Sequence, residues 1–158
     1  MFFVGLFMLC VARAQVLDVP QLIQMLNAEQ FEIDTLLKQK GYLLLEKEQD
    51  TGAVLHYYTH LERSDDGPSW VRSFTLIEAS SDKYAGRMIR YRTYNKDEFV
   101  KLNAYLLKNQ FTTKHKVQLG SEEHVVFTNG KFDIKIKTIR NKLQDGRYIK
   151  SYEYELGK

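Results

Sequence analysis

Cysteine is nearly absent from this chain. Its 158 residues hold one, Cys10, and that one stands in an apolar leading run. With the run removed no thiol remains, so neither a disulfide nor a thiolate nucleophile or metal ligand is on offer. Phe7, Met8 and Leu9 precede Cys10 where a lipid-attachment site needs small residues, which argues against a lipoprotein. The two prolines fall at punctuation points, Pro20 in the first turn of a helical stretch and Pro68 in a loop. No N-x-[ST] glycosylation sequon occurs. Nor is there a G-x-S-x-G, H-E-x-x-H, P-loop or dinucleotide-binding pattern. These absences leave no residue to assign to catalysis, and the chain reads as a non-enzyme without a cofactor.

What is present describes a folding domain. Hydrophobic residues make up 44% and charged residues 27%, a globular balance. Ten Tyr and nine Phe suit strands and packed sheets. The formal net charge of +3 is spread among mixed signs, which excludes the strongly basic signature of a nucleic-acid binder. Residues 1–14, MFFVGLFMLCVARA, are apolar and end in Ala12-Arg13-Ala14, a small-residue pattern that signal peptidases accept. The run is short for a membrane span. It is expected to be a signal peptide, although no cation precedes it; a buried N-terminal element is the alternative. The expected address is periplasmic or extracellular, with no stable membrane anchor after cleavage.

Beyond the leader, apolar spacing predicts helical structure over residues 18–40, started by Asp18 and ended by Gly41. Alternation then predicts strands at 42–48, 53–61, 70–79 and 87–94. Asn95 starts a second helix to about residue 110, with Glu98 placed for a capping box. Four more strands follow at 113–119, 124–128, 131–139 and 147–156, with Asn129-Gly130 and Asp145-Gly146 as hairpin turns. Two recurrences suggest duplication. GRMIRYRTY (86–94) matches GRYIKSYEY (146–154), and Leu36-Leu37-Lys38 matches Leu106-Leu107-Lys108, each followed by an aromatic residue. The expected fold is therefore α+β: a tandem repeat of helix plus four-stranded antiparallel meander over 15–95 and 96–158, with the helices packed on one face. That outline resembles, in architecture alone, the bacterial β-lactamase inhibitory proteins and small periplasmic PepSY-like proteins.

A sheet covered on one side leaves an open face. If Ile89 and Ile149 both point to the helices, that face collects Arg90, Arg92, Tyr94, Lys135, Lys137, Lys150, Tyr152 and Tyr154. Interleaved cations and aromatics are common interface anchors, and they also stabilise solvated sheet faces through cross-strand pairs. No motif of an RNA-binding sheet accompanies them, so an acidic glycan or a protein is the expected partner rather than nucleic acid. His56 and His60 lie about 13 Å apart along a strand, too far to chelate one metal alone. His115 and His124 lack a third ligand. The acidic turn at Asp65-Asp66 lacks the alternating ligands of a calcium loop. The chain is thus expected to be an exported binding protein that uses its open sheet face. The alternative is a carrier of a small apolar ligand between helices and sheet.

Overall fold

Three helices and eight strands form in the computed structural model, which describes residues 16–157 except 51, 65, 66, 82, 83 and 144. The expected signal peptide lies outside the described residues. Helix α1 (Val19–Met25) begins on a reciprocal capping box, in which Asp18 accepts from the Gln21 amide and Gln21 accepts from the Asp18 amide. Helix α2 (Gln30–Gln39) and helix α3 (Lys96–Lys108) end alike. The Tyr42 amide donates to the Leu37 carbonyl and the Phe111 amide to the Leu106 carbonyl, each closing a left-handed C-terminal turn. Gly41 supplies that turn in α2 at φ 79°, and Gln110 supplies it in α3 at φ 63°.

The strands are β1 (Leu43–Asp50), β2 (Ala53–Ser64), β3 (Gly67–Ser81), β4 (Tyr84–Thr93), β5 (Thr112–Leu119), β6 (Glu122–Thr128), β7 (Asp133–Lys142) and β8 (Tyr148–Gly157). They form one antiparallel sheet in the order β1-β2-β3-β4-β8-β7-β6-β5. Its inner face meets the helices. Leu22, Met25, Ile33, Leu37, Leu102 and Leu106 pack with Phe74, Leu76, Ile89, Tyr91, Tyr154 and Leu156 in a single core cluster. Each such side chain contributes roughly 1.5–3 kcal/mol by leaving water.

The expectation of a tandem helix-plus-meander repeat is corrected by this arrangement. The two halves are not units, because β4 pairs with β8 and merges all eight strands into one sheet. Two helices precede the first four strands and one precedes the last four. The recurring strand motif also differs in three dimensions. Gly86 lies within β4 opposite Ala79, whereas Gly146 occupies a turn at φ 85°. Ile89 is fully buried on the inner face, while Ile149 shares its face with Ser151 and Glu153, away from the helices. The residue opposite Ile89 across the sheet is Leu156. The Leu-Leu-Lys recurrence has a local cause, since both copies build the same helix-ending turn with an aromatic residue just beyond it.

Each helix is fixed to the inner face by polar contacts as well as by packing. Tyr58 donates to Asp34 and accepts from Gln30 Nε2 at 2.8 Å, which holds α2. The Arg87 guanidinium donates to the Ala28 carbonyl between α1 and α2. The Phe99 ring of α3 stacks on Tyr152, with centroids 4.0 Å apart. The deepest contact is Glu98, whose side chain turns into the core rather than back to its own helix cap. It accepts from Arg72 Nε at 2.8 Å, from Thr93 Oγ1 at 3.1 Å and from the Tyr91 hydroxyl. Burial pushes the Tyr91 and Tyr42 phenols far above their ordinary range, so both stay protonated donors.

Removing one partner of a buried pair leaves the other charge stranded, at a cost of about 3–5 kcal/mol. Glu98→Gln should therefore lose about that much stability in chemical denaturation. The double change Arg72→Met with Glu98→Leu should recover most of it. A loss below about 1 kcal/mol for E98Q would show that the node is not a structural centre.

Candidate binding face

Strand alternation places a second set of side chains on the outer face, and register aligns them into rows. Arg92 of β4 and Lys137 of β7 both stand opposite Glu153 of β8; Arg90 and Lys135 both stand opposite Glu155. The centre of the outer face is therefore two parallel rows, each cation–carboxylate–cation across three strands. The rows differ in tightness. Arg92 donates to Glu153 through Nη2 at 2.6 Å and Nε at 3.1 Å, and Lys137 donates to it at 2.9 Å. Glu155 receives Lys137 at 3.1 Å, but Lys135 stays 3.8 Å away and Arg90 3.7 Å. The Arg90 Nε is itself buried and has no hydrogen-bond partner among the described residues.

These geometries set the charge states. Glu153 is 2% exposed, and burial by itself would raise its pKa. Hydrogen bonds from Lys137 and Arg92 overcome that and hold its carboxyl below the usual range. Burial likewise opposes the charged forms of Lys137 and Arg92, yet their carboxylate partners hold both pKa values up. Four cations face two carboxylates, so the rows keep an excess of two positive charges. Arg90 and Lys135, the loosely held pair, carry that excess toward solvent.

The structure thus brings Arg90, Arg92, Lys135 and Lys137 onto one outer surface. Tyr94 joins them, since its phenol lies beside Arg92 and helps hold that cation's pKa up. Three expected members are elsewhere, which corrects the expected face. Tyr152 and Tyr154 are buried on the inner face, where Tyr154 donates to Asn103 at 3.0 Å. Lys150 is exposed, pairs in register with Arg140, and shares the inner parity of Tyr152. The cause is the strand-motif alignment: setting Ile149 equivalent to Ile89 turned every side chain of β8 to the wrong face. Glu153 and Glu155 were missed for the same reason. The signal that finds them is the inner-facing apolar set Tyr152, Tyr154 and Leu156, a run that requires the glutamates to face outward.

Other candidate chemistry finds no assembled site. Among the described residues no group of three metal-ligating side chains converges. His56 and His60 flank Tyr58 on the inner face of β2, where burial and Lys47 lower the His56 pKa and keep it neutral. His124 is bonded to Glu122 at 2.8 Å. A groove of about 240 Å³ lies on the inner face between α3 and β5–β7, lined by Phe99, Asn103, Val125, Phe127, Ile136 and Thr138. Among the described residues no helix is long and apolar enough to cross a membrane. Comparison with family models, curated proteins and solved structures finds no match, so the resemblance of outline named above has no matched structure behind it.

The depressed pKa of Glu153 makes a signed prediction. Its stabilising effect is complete above the unfolded glutamate pKa of about 4.3 and is lost as pH falls through the lower folded value. Glu153→Gln should cost about 2 kcal/mol at neutral pH, and the gap from the native chain should narrow progressively below about pH 4. His56 titrates in both proteins and cancels in the difference. A gap that stays constant from neutral pH into strong acid would contradict the assignment.

Proposed function

We propose that this protein is a non-enzymatic binding protein whose outer sheet face engages an acidic partner, an acidic glycan or a carboxylate-rich protein surface. The observation that carries the reading is the difference between the two rows. The Glu153 row is held by short bonds to a buried carboxylate and acts as the foundation. In the Glu155 row, Arg90 and Lys135 stay 3.5 Å or more from either carboxylate, so an incoming anion gains two cations without breaking a short bond. Ser73 and Thr75 on neighbouring β3 pair in register with Arg92 and Arg90, giving small side chains that leave the guanidinium planes approachable. The inner groove, the place for the carrier alternative, falls below the roughly 300–1,000 Å³ of ordinary ligand pockets, which favours the outer face. Export remains part of the proposal, resting on the leader sequence alone.

Heparin and polyglutamate serve as defined probes. The double variant Arg90→Ser with Lys135→Ser should elute from immobilised heparin at clearly lower salt than the native chain, or lose its retention on polyglutamate. Its unfolding free energy should change by no more than about 1 kcal/mol, because both removed contacts are partly exposed. Arg92→Ser should instead lower stability measurably. Equal retention of the native chain and the double variant on both matrices would remove the outer face as the binding surface.

A further inference from the structure

The β7–β8 hairpin runs past both of its neighbours. Strand β4 stops pairing with β8 at Thr93 opposite Tyr152, and β6 stops pairing with β7 at Glu122 opposite Ile139. Strands β7 and β8 continue through Arg140–Lys150, Asn141–Ile149 and Lys142–Tyr148. The turn is closed by the Leu143 amide on the Arg147 carbonyl at 2.7 Å and the Gly146 amide on the Leu143 carbonyl at 3.0 Å. Beyond the Arg140 amide, which donates to the Ser121 carbonyl at 3.3 Å, no lateral partner meets the ribbon among the described residues. Such a two-stranded end gains little stability from its own pairing, so its side chains have to be explained by something other than the core.

Those side chains are of two kinds. Arg140, Lys142, Arg147 and Lys150 are exposed, and the accompanying carboxylate is Asp145, which is bonded to Arg147 at 2.6 Å. Four cations against one carboxylate give this end a net charge of +3, equal to the formal charge of the whole chain, so the remaining charges sum to zero. No ion pair among the described residues engages Arg140, Lys142 or Lys150. Beside the cations stand two large apolar side chains in water, Tyr148 at 55% and Leu143 at 38% exposure. The Arg140 guanidinium lies 4.1 Å from the Tyr148 ring centroid and covers one face of the ring.

We propose that the end of the β7–β8 hairpin docks on the surface of an anionic lipid bilayer. Leu143 and the Tyr148 ring enter the headgroup region, and the four cations meet lipid phosphates around them. Exposed apolar and aromatic side chains ringed by Arg and Lys are what an interfacial contact requires, and each cation near such a surface strengthens binding about fivefold. A β-ribbon also fits a nucleic-acid groove, but the thymine methyls there offer Leu143 far less apolar surface than a bilayer does. With Arg140 over one face, Tyr148 has only the other face for stacking on a base. This surface is separate from Arg90 and Lys135, so either proposal can fail alone.

The test uses the full chain with Tyr148→Trp, whose emission is read after subtracting the native protein, which holds one tryptophan, Trp70. Phosphatidylcholine vesicles containing phosphatidylglycerol should shift the new emission to the blue, and pure phosphatidylcholine vesicles should not. Adding Lys142→Ser, Arg147→Ser and Lys150→Ser should weaken the anionic-vesicle affinity about a hundredfold, with the melting transition retained. The proposal is overturned if the hairpin tryptophan does not respond to anionic vesicles, including the case where vesicles bind through another part of the chain. It is equally overturned if the triple change leaves affinity unaltered, or if duplex DNA gives the tighter response.

Discussion

The pairing of β4 with β8 is the constraint on which the rest of this structure depends. It is the one link between the β1–β4 and β5–β8 portions of the sheet, and its register decides what each face carries. On the inner side it sets Tyr91 opposite Tyr154 and Ile89 opposite Leu156, continuing the apolar core from one half to the other. On the outer side the same register sets Arg92 opposite Glu153 and Arg90 opposite Glu155. A slip of one residue would put glutamates under the helices and tyrosines into water, so the hydrophobic pattern and the ion pairs enforce the same alignment.

Two buried acidic groups secure that link from opposite sides. Glu98 enters from α3 and joins Arg72 of β3 to Tyr91 and Thr93 of β4. Glu153 holds Arg92 of β4 and Lys137 of β7 across β8. Both carboxylates take several short bonds from charged or hydroxyl donors, the condition under which a buried charge is tolerated. Their strength is also what frees the second outer row. Because Glu153 satisfies Arg92 and Lys137, the outer cations Arg90 and Lys135 are left with distant partners and a surplus of charge.

Much of the local structure was legible in the sequence, and the reasons are physical. Strand alternation, the Asp18 helix start and the Gly41 stop depend on neighbours in the chain, so local patterns reveal them. What sequence could not give was the partner of each strand across the sheet. Repeated tripeptides and the GR-x-I strand motif looked like duplication, yet one reflects a shared helix ending and the other places Ile89 and Ile149 on opposite faces. The candidate face suffered accordingly. Four of its cations follow from the alternation of β4 and β7; the two glutamates that organise them depend on the facing of β8, which its pairing with β4 and β7 fixes. Glu98 was legible as a helix-start residue, but its role in the core depends on Arg72, 26 residues away.

One sheet, closed at β4–β8, should unfold as one unit rather than as two repeats. Native-state hydrogen exchange along β4 and β8 tests it most directly. The Ile89, Tyr91, Tyr154 and Leu156 amides should share a single opening free energy equal to that of global unfolding. If β4 or β8 opened at markedly lower free energy, with the two halves exchanging as separate cooperative blocks, the single-sheet account would be contradicted.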